Sequence, residues 1–228
     1  MSVPFTRRGV ANGARQGLPL AASSLTYGLI FGAVAQTAGL RLAETTLMSA
    51  TVCAGAAQFV VVGIWTTPPA AASVIAATLL VNLRHLLLGV TLRGWIANTT
   101  RPQLYGSAFF LFDETWALTH READTGGRDR GFLLGCGLVL WLAWVAGSAL
   151  GSLAGGRVPD PARWGLDFAA TAVFLALLTG MWRGKRDLLP WLVAALMALA
   201  AARWLPGQWY IVLGGLAGSL CGMWRDAE

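Results

Sequence analysis

The run LLVNLRHLLLGV, residues 79–90, sits inside an apolar stretch long enough to cross a bilayer, yet it carries Asn82, Arg84 and His85 at its middle. A central Arg costs about 2.5–3.5 kcal/mol on membrane-insertion scales, so such groups need partners. Either the run is not a span or these residues have a task. The composition of the chain decides for a span. Of its 228 residues 56% are hydrophobic and only 12% charged, against about a quarter charged in a soluble domain. With 28 Gly, 11 Trp and a mean hydropathy of +0.59, this is an integral membrane protein. The apolar runs are continuous rather than alternating, which excludes a β-barrel and predicts an all-α polytopic bundle forming one transmembrane domain over residues 1–228.

Eight candidate segments follow from the runs between charge, Pro and Gly clusters: 17–38, 45–65, 70–92, 103–119, 131–154, 164–182, 188–204 and 208–224. Trp65, Trp95, Trp164, Trp182, Trp191, Trp204, Trp209 and Trp224 fall at or near segment ends, where an indole meets headgroups. The net charge of +6 comes from arginines and Lys185 scattered at segment ends, a topology signal rather than a nucleic-acid surface. Segment 103–119, short and holding Asp113 and Glu114, sets the orientation of all that follows. With it counted and the N-terminus inside, ten Lys/Arg lie inside (Arg7, Arg8, Arg15, Arg121, Arg128, Arg130, Arg183, Lys185, Arg186, Arg225). Six lie outside (Arg41, Arg93, Arg101, Arg157, Arg163, Arg203). The expectation is eight crossings with both termini cytoplasmic, a seven-span or re-entrant arrangement being the alternative. The first run is too long for a signal peptide and reads as a retained span.

Glycines four apart (Gly28 and Gly32; Gly147, Gly151 and Gly155; Gly214, Gly218 and Gly222) predict close helix packing. Residues 17–32 and 165–180 share six identities in sixteen and would run in opposite directions, which suggests an inverted repeat. Cys53, Cys136 and Cys221 stand alone without metal-ligand spacing and read as small packing residues, and no cofactor is implied.

On a helical wheel Thr78, Asn82, His85 and Gly89 share one face, a cavity lining or a helix contact, while Arg84 points away and requires an acid from another element. The candidates are Asp113, Glu114 and Asp167. One Arg and three acids leave an acid excess, and an intramembrane acid without a cation tends to hold a proton, the raw material of proton coupling. A static pair that only fixes helix packing is the alternative. In CAGAAQFVVVG, residues 53–63, the small side chains before Gln58 either permit tight packing or expose backbone at an unwound point.

Together CAGAAQF, NLRHLLLG, LFDETWAL and GLDFAATAVF, in that order between about residues 13 and 185, resemble the AzlC family. These are the large subunits of two-component branched-chain amino acid exporters. The resemblance implies a bacterial inner-membrane permease exporting valine, leucine, isoleucine and analogues with a small AzlD-like subunit. The matching positions are Gly55, Gln58, Phe59, Asn82, Arg84, His85, Asp113, Glu114, Asp167 and Phe168. Cys53 stands where an aromatic is more usual, and Leu88 where a Tyr often follows, which bears on substrate preference more than on fold. The residues suggest Arg84 or the 54–57 backbone for a substrate carboxylate, Asp113 or Glu114 for its ammonium or a coupling proton, and His85 for proton relay.

Other classes fit less well. There is no phosphate-binding G-x-x-x-x-G-K-[ST] loop, so this chain does not hydrolyse ATP, and proton-driven secondary transport is the default. G-x-S-x-G and H-E-x-x-H are absent, which argues against an intramembrane enzyme. A structural or assembly subunit, its buried charges serving partner recognition, is the competing reading.

Overall fold

The computed structural model describes residues 5–66, 68–96, 99–156, 184–205 and 209–226, with Ala172, Leu175, Thr179 and Trp182 as isolated positions. Regular structure among the described residues is helical: α1 (Arg7–Thr37), α2 (Leu42–Val52), α3 (Gly55–Gly63), α4 (Ala71–Thr91), α5 (Arg93–Ile96), α6 (Arg101–Phe109), α7 (Asp113–Asp124), α8 (Gly131–Gly155), α9 (Lys185–Trp204) and α10 (Trp209–Asp226). Four of these, α1, α4, α8 and α9, are long and apolar enough to cross a membrane. Asp167, Phe168, Trp164 and the second half of the suggested repeat lie outside the described residues.

Two compact units are present, one holding residues 1–59 and 82–170, the other residues 60–81 and 171–228. The first is built on α1 and α8. A Cβ at Gly13 would strike the carbonyl of Phe132, at Gly28 that of Trp144, and at Gly32 that of Ser148. From the other side, Cβ atoms at Gly135 and Gly151 would strike the carbonyls of Val10 and Leu29. Contact partners rise together along both helices, so α1 and α8 run parallel, backbone against backbone. The glycine ridges read from the sequence thus pack on each other, and further glycines extend the contact and start α1 ten residues earlier than expected. In the second unit Gly214 and Gly218 of α10 meet Ala198, Ala194 and Pro190 of α9 in falling order, an antiparallel pair.

Two segments expected to be continuous are broken. Segment 45–65 divides at Cys53 and Ala54 into α2 and α3, and segment 103–119 divides at residues 110–112 into α6 and α7. Three of the four pieces have their own start signal. Glu44 accepts a hydrogen bond from the Arg41 amide (2.7 Å) ahead of α2. Gln103 reaches back to the Thr100 amide (3.1 Å), with Pro102 in the first turn of α6. The Phe112 amide donates to Thr115 Oγ1 (2.7 Å), while Asp113 and Glu114 complement the amino end of the α7 dipole. Gly39 and Gly126, at φ 94° and 88°, take the left-handed turns that end α1 and α7.

The contacts also correct the expected sidedness of the loops. The Thr6 amide and hydroxyl both donate to Asp129, placing the start of α1 beside the start of α8. Arg130 donates to the Gly94 carbonyl (3.3 Å) and stacks over Trp95 (4.9 Å to the ring centre). Asn12 and Gln16 donate to Glu122 (3.4 and 3.2 Å). Arg93, expected opposite Arg128 and Arg130, therefore lies at their end of the unit. The nine residues of α6 rise only about 14 Å, less than the roughly 30 Å of a hydrocarbon core, and the far end of α7 returns to the start of α1 through Glu122. Trp95 is likewise not a headgroup anchor: it is 7% exposed, packed with Leu92, Phe132 and Leu133 beneath Arg130.

The Asp129 staple carries a pH dependence. Partial burial alone would raise its carboxyl, but the Thr6 hydroxyl and amide and the Gly131 and Gly9 amides outweigh that and hold it below the usual carboxylate range. A depressed folded-state value means stabilisation that is present above the unfolded Asp value and lost as pH falls through the folded one. Protection of the amides at residues 5–13, taken as exchange relative to the intrinsic rate at each pH, is expected to fall on acidification, and Asp129→Asn to give low protection at all pH values without that acid step.

Candidate functional site

The two helix breaks face each other within the first unit. At the first, Cys53 takes the left-handed conformation (φ 48°), which a side chain with a Cβ adopts at a cost of about 1–2 kcal/mol. Gln58 holds it there. Its Nε2 donates to the Met48 carbonyl (3.0 Å) on the far side of the break, and its Oε1 accepts from Trp144 Nε1 of α8 (2.9 Å). Only 1% of Gln58 is exposed. Around this clasp Phe31, Phe59 and Trp144 stack with ring centres 5.5–6.4 Å apart. Gly55 is required because a Cβ there would lie 2.6 Å from the Trp144 ring. Gln58→Leu removes the tie to Met48 across the break and orphans the Trp144 indole N–H, the latter worth about 1–3 kcal/mol. Trp144→Phe frees only the Gln58 oxygen. The leucine variant is expected to lose more thermal stability, read as the temperature at which the purified protein leaves its monodisperse gel-filtration peak.

At the second break Asp113 opens α7 and pairs with Arg84 of α4, Nη1 to Oδ2 at 2.7 Å. The acid that the sequence demanded for Arg84 is thus Asp113. Glu114 lies beside it in the first turn of α7. Farther along the same pair of helices Trp116 Nε1 donates to Thr91 Oγ1 (2.7 Å), so α7 lies along α4 with two side-chain ties. Arg84 Nε and Asn82 Oδ1 are buried and without a partner among the described residues.

Between the breaks is a cavity of about 560 Å³, lined by Thr51–Ala54 from the first break, by Asn82, His85, Leu86, Gly89 and Val90 of α4, by Arg93, and by Ala108, Phe109 and Leu111 at the second break. Asn82, His85 and Gly89 do share a face, as their spacing predicts, and the face is a cavity wall. His85 Nδ1 lies 3.3 Å from the Asn82 carbonyl. Gly55, Gln58, Arg84, Asp113 and Glu114 stand around the cavity without lining it. Asp167 lies outside the described residues. The volume, the mostly apolar wall and the few convergent polar groups suit a small amphipathic molecule. Among the described residues no group of His, Cys, Asp and Glu is placed to hold a metal.

Residues 19–158 match the family described as AzlC protein, more than half of the chain and both helix breaks. The chain belongs to the AzlC family. Among AzlC-like relatives, the branched-chain amino acid transport protein AzlC of Bacillus subtilis is 26% identical over 201 residues, 88% of this chain and 78% of the relative. An uncharacterised membrane protein of Archaeoglobus fulgidus is 31% identical over 170 residues, 73% of each. The inner membrane protein YgaZ of Escherichia coli is 26% identical over 216 residues, 92% of this chain and 86% of the relative. No solved structure matches. Three of the four motifs named from the sequence, CAGAAQF, NLRHLLLG and LFDETWAL, fall at the two breaks and on α4, while GLDFAATAVF lies outside the described residues apart from Ala172. Sequence reading missed Trp144, Trp116 with Thr91, and Arg93. Tryptophans were read only as headgroup anchors, although Trp141 and Trp144 stand mid-segment, where an indole N–H needs a partner.

Proposed function

We propose that this chain is the large subunit of a secondary-active exporter of branched-chain amino acids in the bacterial inner membrane, coupled to protons and working with a small AzlD-like subunit. The cavity carries the reading: its apolar wall accepts a branched side chain, and the polar groups at its margins accept a zwitterion. The likeness to the Bacillus transport protein supports the same substrate class. Broken helices meeting at a cavity are the architecture by which secondary transporters expose backbone and charge to a solute.

Orientation follows from the corrected ends of the first unit. Arg7, Arg8, Arg15, Arg93, Arg121, Arg128 and Arg130 gather at one end and Arg41 lies at the other, so the arginine-rich end, with the N-terminus, faces the cytoplasm. The α6–α7 pair is then a cytoplasmic re-entrant hairpin, and Arg93 stands on the side from which an exporter loads. Glu114, beside the Arg84–Asp113 pair, is the candidate for the coupling proton, with His85 as relay. Arg84 finds its acid within the chain, which removes the main motive for an assembly-only subunit.

Leucine efflux from cells preloaded with a leucine-containing dipeptide tests the proposal in a strain lacking native exporters. Efflux that requires this chain and the small subunit is expected. No efflux of leucine, isoleucine or valine from verified, membrane-inserted protein overturns it.

A further inference from the structure

We infer that the cavity holds its amino acid between Arg93, which takes the carboxylate, and Asn82, whose Oδ1 takes the ammonium, with the side chain laid against Leu86, Val90 and Phe109. The assignment rests on the reading of the cavity as the amino-acid site and replaces the carboxylate partner expected from sequence. Arg84, the obvious cation, is committed to Asp113 at 2.7 Å and does not line the cavity. Of the 54–57 backbone, the other expectation, Ala54 lines the cavity, while Gly55 begins α3 under the Trp144 ring. Arg93 does line the cavity, and its guanidinium pairs with none of the described acids. Asn82 lines it too, and its Oδ1, shielded from the cavity in this conformation, has no donor among the described residues, so a turn of the amide brings an unsatisfied acceptor to the cavity. A buried orphan acceptor is costly unless a ligand donor completes it, and an α-ammonium supplies three.

The spacing suits the ligand. Asn82 and Arg93 are eleven positions apart, from α4 across the turn at Leu92 to the first residue of α5, about 16 Å at a helical rise. An arginine side chain folded back along α4, an asparagine amide and the backbone end of an amino acid span that length end to end. The side chain of the amino acid then falls beside Leu86 and Val90, one turn apart on the same wall. Arg93 at the cytoplasmic mouth also attracts the carboxylate first, so the molecule enters carboxylate-outward and its ammonium reaches Asn82 at the inner end.

Binding of radiolabelled leucine to the purified chain with its small subunit tests the inference, with leucinol, which lacks the carboxylate, and 4-methylpentanoate, which lacks the ammonium, as competitors. Wild type is expected to prefer leucine to either at least tenfold. Arg93→Gln should weaken leucine about tenfold or more and leave leucinol nearly unchanged, with Arg93→Lys intermediate. Asn82→Leu should weaken leucine and leave 4-methylpentanoate nearly unchanged. Leucine binding that survives Arg93→Gln, or leucine and leucinol falling together in that variant, overturns the assignment while the exporter reading stands. Failure of wild type to bind any branched-chain amino acid overturns both.

Discussion

Asp113→Asn is expected to lower both the amount of membrane-inserted protein and the efflux per molecule, whereas Arg84→Met lowers efflux alone. The two partners differ in how they tolerate isolation. A guanidinium keeps its charge at any accessible pH, and uncompensated at the middle of a helix it costs about 2.5–3.5 kcal/mol. A carboxylic acid sheds its charge by taking up a proton. Without Asp113, α4 therefore carries an unpaired cation on a helix of which only Ala77 is fully buried. Without Arg84 the site is neutralised and the fold persists, but the tie that fixes the amino end of α7 is gone. The double variant Arg84→Met with Asp113→Asn should recover wild-type protein levels and remain unable to transport. Quantitative membrane blots alongside initial efflux rates separate these outcomes. Equal protein levels in the two single variants would show that the ion pair is not held in hydrocarbon, and normal efflux from Arg84→Met would remove the pair from the mechanism.

Gly32→Leu is expected to be as damaging by a wholly different route. The new side chain would meet the carbonyl of Ser148 and the amide of Ser152, which are backbone atoms of α8 and have no rotamer to retreat into. Overpacking a core costs typically about 1–3 kcal/mol when side chains give way, and more where backbone must move. In lipid, the close approach of α1 and α8 is itself the source of their affinity. The variant should lose its monodisperse peak on gel filtration, with Gly151→Leu behaving alike from the opposite surface against Leu29. Gly106→Ala, where nothing lies within 4 Å of the added atom, is the matched control and should elute as wild type.

Much of this was legible in the chain. The need of Arg84 for an acid follows from hydrophobicity alone, and the helix-packing role of Gly28, Gly32, Gly147 and Gly151 follows from their spacing. The choice of Asp113 among three acids does not, because it depends on a new helix beginning at that residue. An unwound point before Gln58 and a re-entrant 103–119 were alternatives left open, but apolarity hid where either break falls. Nothing in Cys53 announces a left-handed turn, and Phe110 and Leu111 read as well in a helix as in a gap. Assuming continuous segments then propagated into the expected sidedness: counting 45–65 as one full span put Arg93 at the end opposite the N-terminus, whereas the contacts put it beside Arg130 and the start of α8. Trp95 misled for a related reason, since an indole near a segment end serves a headgroup or a fold-internal cation equally well. Here it serves Arg130.

The glycine seam between α1 and α8 has a mechanical meaning. Helices held apart by leucines slide as those side chains change rotamer, but two backbones in direct contact have no such bearing surface and act as a single strut. Under the proposed function, alternating exposure of the cavity is then expected of what is tied to the strut through side chains alone. These are the unwound turn at Cys53, held by one glutamine, and the α7 half-helix, held by an ion pair and an indole. The protein separates its stiffness from its compliance at the level of individual contacts, and the cavity sits on the compliant side.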